Sequence, residues 1–599
     1  MGEQAAHPDR VDGFLPLADY GALGDGRAAA LVGRDGSIDW FAAPRMDVAP
    51  LCSALLDPGG GGAITLAPTV DYESSQRYVS DSMAVETTFR CRHGEVRVTD
   101  VLNLGGFGPL PWTELARRIE PVSGAVPMRW AVRPGHRLGP GRPWTRSGSG
   151  TPTLQAGDVH LLIVTDGVGT PAWGSGQVAG EFTAEGEQPR LLCVVVNGQE
   201  PLPLPTSKAV QGRVDHTIET WQSWCGDIDY DGSHRDEVHR SALILRALTF
   251  SSSGAIAAAL TTSLPERIGS KRNFDYRFGW IRDASFSLDA MATLRLTEEV
   301  QGSVSWLLAA VRRTAPEIRS LYTLDGIPAS ADMESVPWVR GYRDSLPVHV
   351  GNSAADQRQL GAYGDLMDGV WRHICNGGQL DHDSAEALAR VADRVCDIWR
   401  TKDAGIWELG DLAHYTISKI GCWVALDRAC RLAEAGQLTT HSLSRWRTER
   451  EAVHAWADEH CWSPTKRSYT FYAGTDELDA AVLLAARTGF LPGDDPRLAS
   501  TIDAVRSELS AGGPLLYRYS GMASEEGAFL ACTFWLIEAL AMSGRVEEGT
   551  ALLQQALRYA GPTGLFSEEV DPQSGELRGN LPQGLSHLAL IGAAKAVQR

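Results

Sequence analysis

The chain has 599 residues, a formal net charge of −19, 43% hydrophobic and 22% charged residues. That length exceeds one ordinary core and predicts two or more domains, with a composition typical of soluble globular proteins. The acidic balance argues against nucleic acid or an anionic membrane as a main partner, because both need clustered Lys and Arg.

The ten cysteines are scattered with no CxxC pair. Cys52, Cys193, Cys422 and Cys532 lie in apolar runs and read as small buried hydrophobes, the usage of a reducing compartment. The N-terminal MGEQAAHPDRVDGF has no apolar signal core, and no run of 18 apolar residues occurs. A cytoplasmic protein without a membrane span is expected.

Residues 1–205 are rich in Gly and Pro, and alternating or β-branched runs recur, as in AVETTFRCRHGEVRVTDVLNL, DVHLLIVTDGV and RLLCVVVNG. With hairpin-like HGE and DG turns between such runs, this part predicts an antiparallel β-sandwich. Residues 206–234 read as a partly helical linker. Helical periodicity then dominates 235–599, at 236–250, 282–294, 297–313, 355–375, 384–400, 415–434, 441–461, 477–487, 496–509, 525–543, 546–559 and 582–597. In DSAEALARVADRVCDIWR, Leu388, Val391, Val395, Ile398 and Trp399 fall on one face, and Asp383 with Glu386 resembles a capping box. Twelve helices can form an open solenoid or a closed ring of six plus six; no repeat is visible, which favours closure. Long loops at 262–281, 314–354, 401–414 and 510–526 are rich in Trp, Tyr, Arg and Asp, as functional loops on a rigid scaffold would be.

Five constellations carry candidate chemistry. RNFDYRFGWIRDASFSL holds Tyr276, Trp280, Arg282 and Asp283, where Asp283 can accept from vicinal hydroxyls and Trp280 offers a flat face to a sugar ring. The same residues also suit an Arg–Asp pair capping a helix beside a packed Trp. KDAGIWELGDLAHYTISK sets Glu408 against Trp407; an apolar wall raises a carboxyl pKa as a general acid requires, whereas a helix entrance would lower it. GLFSEEVDPQSGELRGNLPQGLSH places the adjacent acids Glu568 and Glu569 before the last helix, at a pocket or in a solvated turn. YRYSGMASEEGAFLACTFW adds Arg518 between tyrosines, with Glu525 and Glu526 suited to a helix N-terminus. Finally, Arg343, Asn352, Asp356 and Gln359 suit hydroxyl recognition at a loop–helix junction. No GxxxxGK[ST], HExxH or GxSxG motif occurs, and no metal-ligand cluster is legible.

Together, ALVGRDGSIDWFAAPR, RNFDYRFGWIRDASF, GYRDSLPVHVGNSAADQ, GIWE, SKIGCWVALDRA, EEGAFLACTFW and GLFSEEVDPQSGELRGNLPQGLSHLAL resemble, in this order and over nearly the whole chain, bacterial glycoside hydrolase family 15. The resemblance implies an N-terminal β-sandwich and a C-terminal (α/α)6 barrel. It also implies anomer-inverting hydrolysis of an α-glucosidic bond without metal or organic cofactor. It assigns Glu408 as general acid and Glu568 as general base. Trp280, Arg282 and Asp283 would hold the terminal glucose and Tyr276 would position water, with Arg343, Trp407 and Arg518 near the substrate. Ile417 stands where many relatives carry an aromatic or His, and Gly361 replaces an acid; both bear on the substrate rather than the reaction. The expected substrate is a maltooligosaccharide or related α-glucan, with α,α-trehalose as the alternative. An unusual α-glucoside, or a silent carbohydrate-binding role, remains as a further reading. The expected partner is a small-molecule carbohydrate, with no nucleic acid or membrane and with a homo-oligomer left open.

Overall fold

The structure is a computed structural model that describes residues 10–106, 108–146, 151–174, 176–198 and 202–598. Residues 1–9 of the N-terminal stretch discussed above lie outside the described residues.

The N-terminal part is two antiparallel sheets. The seven-stranded sheet runs Tyr20–Gly24, Ala29–Gly33, Ser37–Ala42, Gly62–Pro68, Val126–Pro134, Gln177–Ala184, Ala172–Gly174 in spatial order. The eight-stranded sheet runs Trp144–Arg146, Thr153–Ala156, Val159–Asp166, Arg190–Asn197, Thr113–Gly124, Gly94–Leu102, Val85–Cys91, Tyr72–Tyr78. The strand VPMRWAVRP shows why the layers pack: Val126, Met128, Trp130 and Val132 alternate into the core between the sheets, while Arg129 points out. Trp130 lies opposite Gly180, where a Cβ would meet its ring at 2.6 Å, so glycine makes room for the indole. The outer face of the eight-stranded sheet is covered in turn: Val101, Ala116, Cys193 and Val195 pack against Val210 and Val214 of helix α1, Ser207–Gly226. Thr206 caps α1, its hydroxyl accepting from the Ala209 N–H. The linker expected to be partly helical is thus mostly one helix of 20 residues.

Twelve further α-helices follow among the described residues: α2 Arg235–Leu248, α3 Ile281–Thr293, α4 Thr297–Thr314, α5 Gly361–Cys375, α6 His382–Ile398, α7 Thr416–Glu434, α8 Leu443–His460, α9 Leu484–Thr488, α10 Pro496–Glu508, α11 Leu530–Met542, α12 Val546–Ala556 and α13 Gly584–Ala596. A 3-10 turn, Ala480–Leu483, leads into α9. α3, α5, α7, α9, α11 and α13 each pack on the next, and α13 returns to α3, closing an inner ring. The even-numbered helices pack outside it. Burial follows hydrophobic pattern: LACTFWLIEALAM of α11 is apolar nearly all round and almost wholly buried, whereas α8 buries only Trp446, Val453 and Ala457.

Three local expectations are corrected. The helix expected from 355 starts at Gly361, because Asn352 caps a separate 3-10 turn over Ser353–Asp356 by accepting from the Ala354 N–H. The helix expected from 525 starts at Leu530, and Glu526 is a buried ion-pair partner of Arg518 rather than a helix-end acid. The cap of α6 is Asp381, which accepts from the Ser384 N–H at 3.0 Å; Asp383 instead pairs with Arg312.

The sandwich braces the barrel loops. Arg277, paired with Asp275 at 2.6 Å, donates to the Val48 carbonyl at 2.8 Å, and Tyr342 donates to the Leu15 carbonyl at 2.9 Å. The loop that bears Tyr276 and Trp280 is therefore tied to the sheet domain.

Candidate active site

Tyr276 and Trp280 sit four residues apart, just ahead of α3. Gly279 and Trp280 form a short bridge with Leu321 and Tyr322, and a Cβ on Gly279 would strike the Trp306 ring at 2.8 Å. The Trp280 Nε1–H donates to Glu408 Oε1 at 2.7 Å, and the Tyr276 hydroxyl donates to Glu568 Oε1 at 2.8 Å. The two rings meet edge-on at 5.5 Å. One short segment thus orients two carboxyls that are 160 residues apart in sequence.

Glu408 has φ +59°, a left-handed conformation that costs a non-glycine residue about 1–3 kcal/mol and is a feature of functional sites. Its carbonyl accepts from Gln357 Nε2 at 2.9 Å, and Leu409 N–H closes the turn on Ala404 at 3.0 Å. Glu568 precedes the strand Glu569–Val570, which lies between Ala528–Phe529 and Leu577–Arg578. Gly579, at φ +72°, leaves room for its carboxylate: a Cβ there would lie 2.6 Å from Glu568 Oε2.

Both carboxyls line one cavity of about 350 Å³, within the range of small-ligand sites. Tyr276, Trp280, Arg282, Trp407 and Arg518 line it as well. Trp407 is fixed by donating Nε1–H to Asp479 at 2.9 Å and packs edge-on to Phe529. Two residues expected at the substrate do not line this cavity. Asp283 is buried beneath Arg282, which it pairs at 2.9 Å, with its Oδ1 unpartnered. Arg343 pairs with Glu576 at 3.2 Å. Of the loop–helix group, Asn352 lines the cavity, Asp356 pairs with Arg319 at 3.4 Å, and Gln359 Nε2 donates to Gln357 Oε1 at 3.3 Å. Glu266, Arg272 and Gln357 also line it and went unnoticed in the sequence. Glu266 and Arg272 sit in a loop without periodicity, and Gln357 falls where a helix was expected from 355, so no spacing signalled them.

Burial pushes the Glu408 carboxyl up, and Asp283 adds to this, while Arg282 and the Trp280 hydrogen bond oppose it. Burial also pushes Glu568 up, to about 8, with Glu266 the next contributor and Arg518 and Tyr276 opposing. Behind Glu568, the carboxyls of Glu266, Glu526 and Glu569 each bring an oxygen within 4.8 Å of the others. Arg518 Nη2 lies 3.0 Å from Glu266 and bonds Glu526, and Arg272 Nη1 lies 3.1 Å from Glu526, so guanidinium groups occupy the space a cation would need. Asp81, Cys225 and His239 form a second such trio, with Cys225 Sγ 3.1 Å from His239 Nδ1. Both trios draw on distant segments, which is why no cluster was legible in the sequence.

Two buried carboxyls lining one cavity, Glu408 held by an indole donor and Glu568 by a hydroxyl donor, are the elements of acid–base hydrolysis. Comparison with known proteins agrees. A family model for glycosyl hydrolases family 15 matches residues 232–595, and one for a trehalase-like N-terminal domain matches 14–138. Full-length relatives include the trehalase of Mycolicibacterium smegmatis, 34% identical over 99% of this chain and 93% of the relative. The trehalases of Mycobacterium tuberculosis (33%; 98% and 90%) and Thermoplasma volcanium (29%; 98% and 94%) match likewise. A bacterial glucoamylase complexed with acarbose superposes with a TM-score of 0.73 over 100% of this chain and 97% of its own, at 14% identity, which speaks to the fold: an antiparallel β-domain followed by a helical domain, as expected. No helix among the described residues is long and apolar enough to cross a membrane. The chain belongs to glycosyl hydrolases family 15, and is a glycoside hydrolase.

Proposed function

We propose that this enzyme hydrolyses α,α-trehalose to two glucose molecules with inversion at the attacked anomeric carbon. The observation that carries this reading is the full-length similarity to proteins named trehalase, at 33–34% for two of them, extending through the N-terminal domain. It reverses the order expected from the sequence, where maltooligosaccharides came first. The glucoamylase likeness rests on a fold match at 14% identity and supports the architecture rather than the substrate.

In the proposed mechanism Glu408, favoured in its protonated form by burial, gives its proton to the bridging oxygen as the bond breaks. Glu568, held by Tyr276, takes a proton from a water that attacks from the opposite face. Arg282 and Trp407 position the glucose being transferred, and Asp283 acts through Arg282. Glu266 and Arg518 are charges that act on Glu568, and Arg272 pairs with Glu266 at 3.5 Å. A cytoplasmic enzyme would meet trehalose as a solute.

The test is product analysis by NMR on trehalose, maltose, maltotriose and isomaltose. Trehalose should give equal α- and β-glucose before mutarotation, because only the attacked unit inverts. Glu408→Gln and Glu568→Gln should each lower kcat by roughly 10²–10⁴-fold. Release from maltotriose but not from trehalose would restore the glucoamylase reading. Two β-glucose equivalents, or full activity in either variant, would overturn the mechanism.

A further inference from the structure

Four buried carboxyls, those of Glu266, Glu526, Glu568 and Glu569, share the region behind the cavity with two guanidinium groups, Arg272 and Arg518. Their hydrogen bonds are unevenly met. Glu526 is saturated: Oε1 accepts from Arg518 Nε at 2.7 Å, and Oε2 accepts from both Arg518 and Arg272. Glu266 Oε2 faces Arg518 at 3.0 Å and Arg272 at 3.5 Å, but its Oε1 is buried without a partner. Glu569 Oε2 accepts the Gly527 N–H at 2.8 Å, while its Oε1 is buried without a hydrogen bond, 3.9 Å from Arg518 Nη2.

An ionised carboxylate only accepts, and the Glu266 and Glu569 carboxyls bring oxygens within 4.8 Å of each other, so while both are ionised there is no donor between them. A proton on one of them supplies it. Burial favours the acid form of both, but Glu266 is the poorer holder, since both guanidinium groups face its other oxygen and favour its ionised form. Glu569 is the better one. It is 0% exposed, and its charged neighbours are Glu266, Glu526, Glu568 and Arg518. Its strand neighbours add no countercharge: Phe529 is apolar, and the Arg578 side chain is taken up by Glu576 at 2.6 Å.

We infer that Glu569 is a neutral carboxylic acid in the working enzyme, its proton directed to the Glu266 carboxylate, and that this charge arrangement spares Glu568, the general base, the repulsion of a third carboxylate. With Glu569 neutral, Glu568 faces two carboxylates and two guanidinium groups plus the Tyr276 donor. With Glu569 ionised, three carboxylates would oppose it. Glu569 is thus a positioning residue acting through charge. The inference rests on the assignment of Glu568 as base.

The experiment is the pH profile of kcat/KM on trehalose for the full chain, for Glu569→Gln and for Glu266→Gln, with Tm recorded for each. Glutamine mimics a neutral acid, so Glu569→Gln should keep the acidic limb within roughly 0.3 unit of wild type. Glu266→Gln removes a real charge and should move that limb to lower pH by roughly 0.5–1 unit. A downward shift in Glu569→Gln comparable to that of Glu266→Gln would overturn the inference, since Glu569 would then be charged. An unmoved limb in Glu266→Gln would overturn it too, and serves if the first variant does not fold. Infrared spectroscopy needs no substrate: wild type should show a protonated carboxyl stretch that Glu569→Gln lacks, and an unchanged spectrum would refute the proposal. Absence of trehalose cleavage by wild type would refute the substrate reading instead, leaving the infrared result to decide the charge of Glu569.

Discussion

Tyr276→Phe isolates one hydrogen bond at the centre of the proposed mechanism. The hydroxyl donates to Glu568 Oε1 at 2.8 Å, and the ring keeps its edge-on contact with Trp280 at 5.5 Å whether or not the hydroxyl is present. A hydrogen bond to an ionised group contributes about 1.5–3 kcal/mol. It favours the carboxylate over the acid, so its loss raises the Glu568 pKa by about 1–2 units, at 1.36 kcal/mol per unit. The base must be ionised, so the acidic limb of kcat/KM should move to higher pH by that amount. At a fixed pH below the limb, kcat/KM should fall by roughly 10–100-fold, while the variant recovers much of its activity at higher pH. The assay is initial-rate glucose release from trehalose over a pH series. A limb that stays in place, or moves down, would refute the role given to Tyr276 and weaken that of Glu568.

Three further outcomes follow from the same geometry. Trp280→Phe removes the donor to Glu408, raising an acid that must be protonated, so the basic limb should move to higher pH; a shift of the acidic limb instead would contradict the assignment. Arg343→Ala should change kcat/KM by less than roughly threefold, because its partner Glu576 is a partly exposed carboxylate and such pairs contribute about 0–1 kcal/mol; a loss of 100-fold would place Arg343 at the substrate after all. Asp479 is pushed up to about 7 by burial, and its Oδ2 is unpartnered. Its raised folded pKa means stability present below about 4 and lost at about 1.4 kcal/mol per pH unit as pH rises towards 7. Asp479→Asn keeps an acceptor for Trp407 and carries no charge, so its Tm relative to wild type should climb between pH 4 and 7; a constant difference would refute this.

The sequence by itself determined what depends on local pattern. The apolar run RLLCVVVNG and the one-faced apolar spacing in DSAEALARVADRVCDIWR are properties of short segments, so strand and helix were legible there. Glu408 and Glu568 were legible for another reason, because each stands in a contiguous motif, GIWE and FSEE. Element starts were less so: residues 357–360 look helical in composition, but Asn352 diverts the chain into its own capped turn. Only the tertiary structure decided the electrostatics. Glu266, Arg272, Arg518, Glu526 and Glu569 come from three separate segments and meet only when the barrel closes. The same closure puts Tyr276 against Glu568 and Trp280 against Glu408, and leaves Arg343 with Glu576 outside the cavity. A carboxyl's proton affinity depends on burial and on charges a few ångströms away, and those neighbours are set by packing rather than by position along the chain.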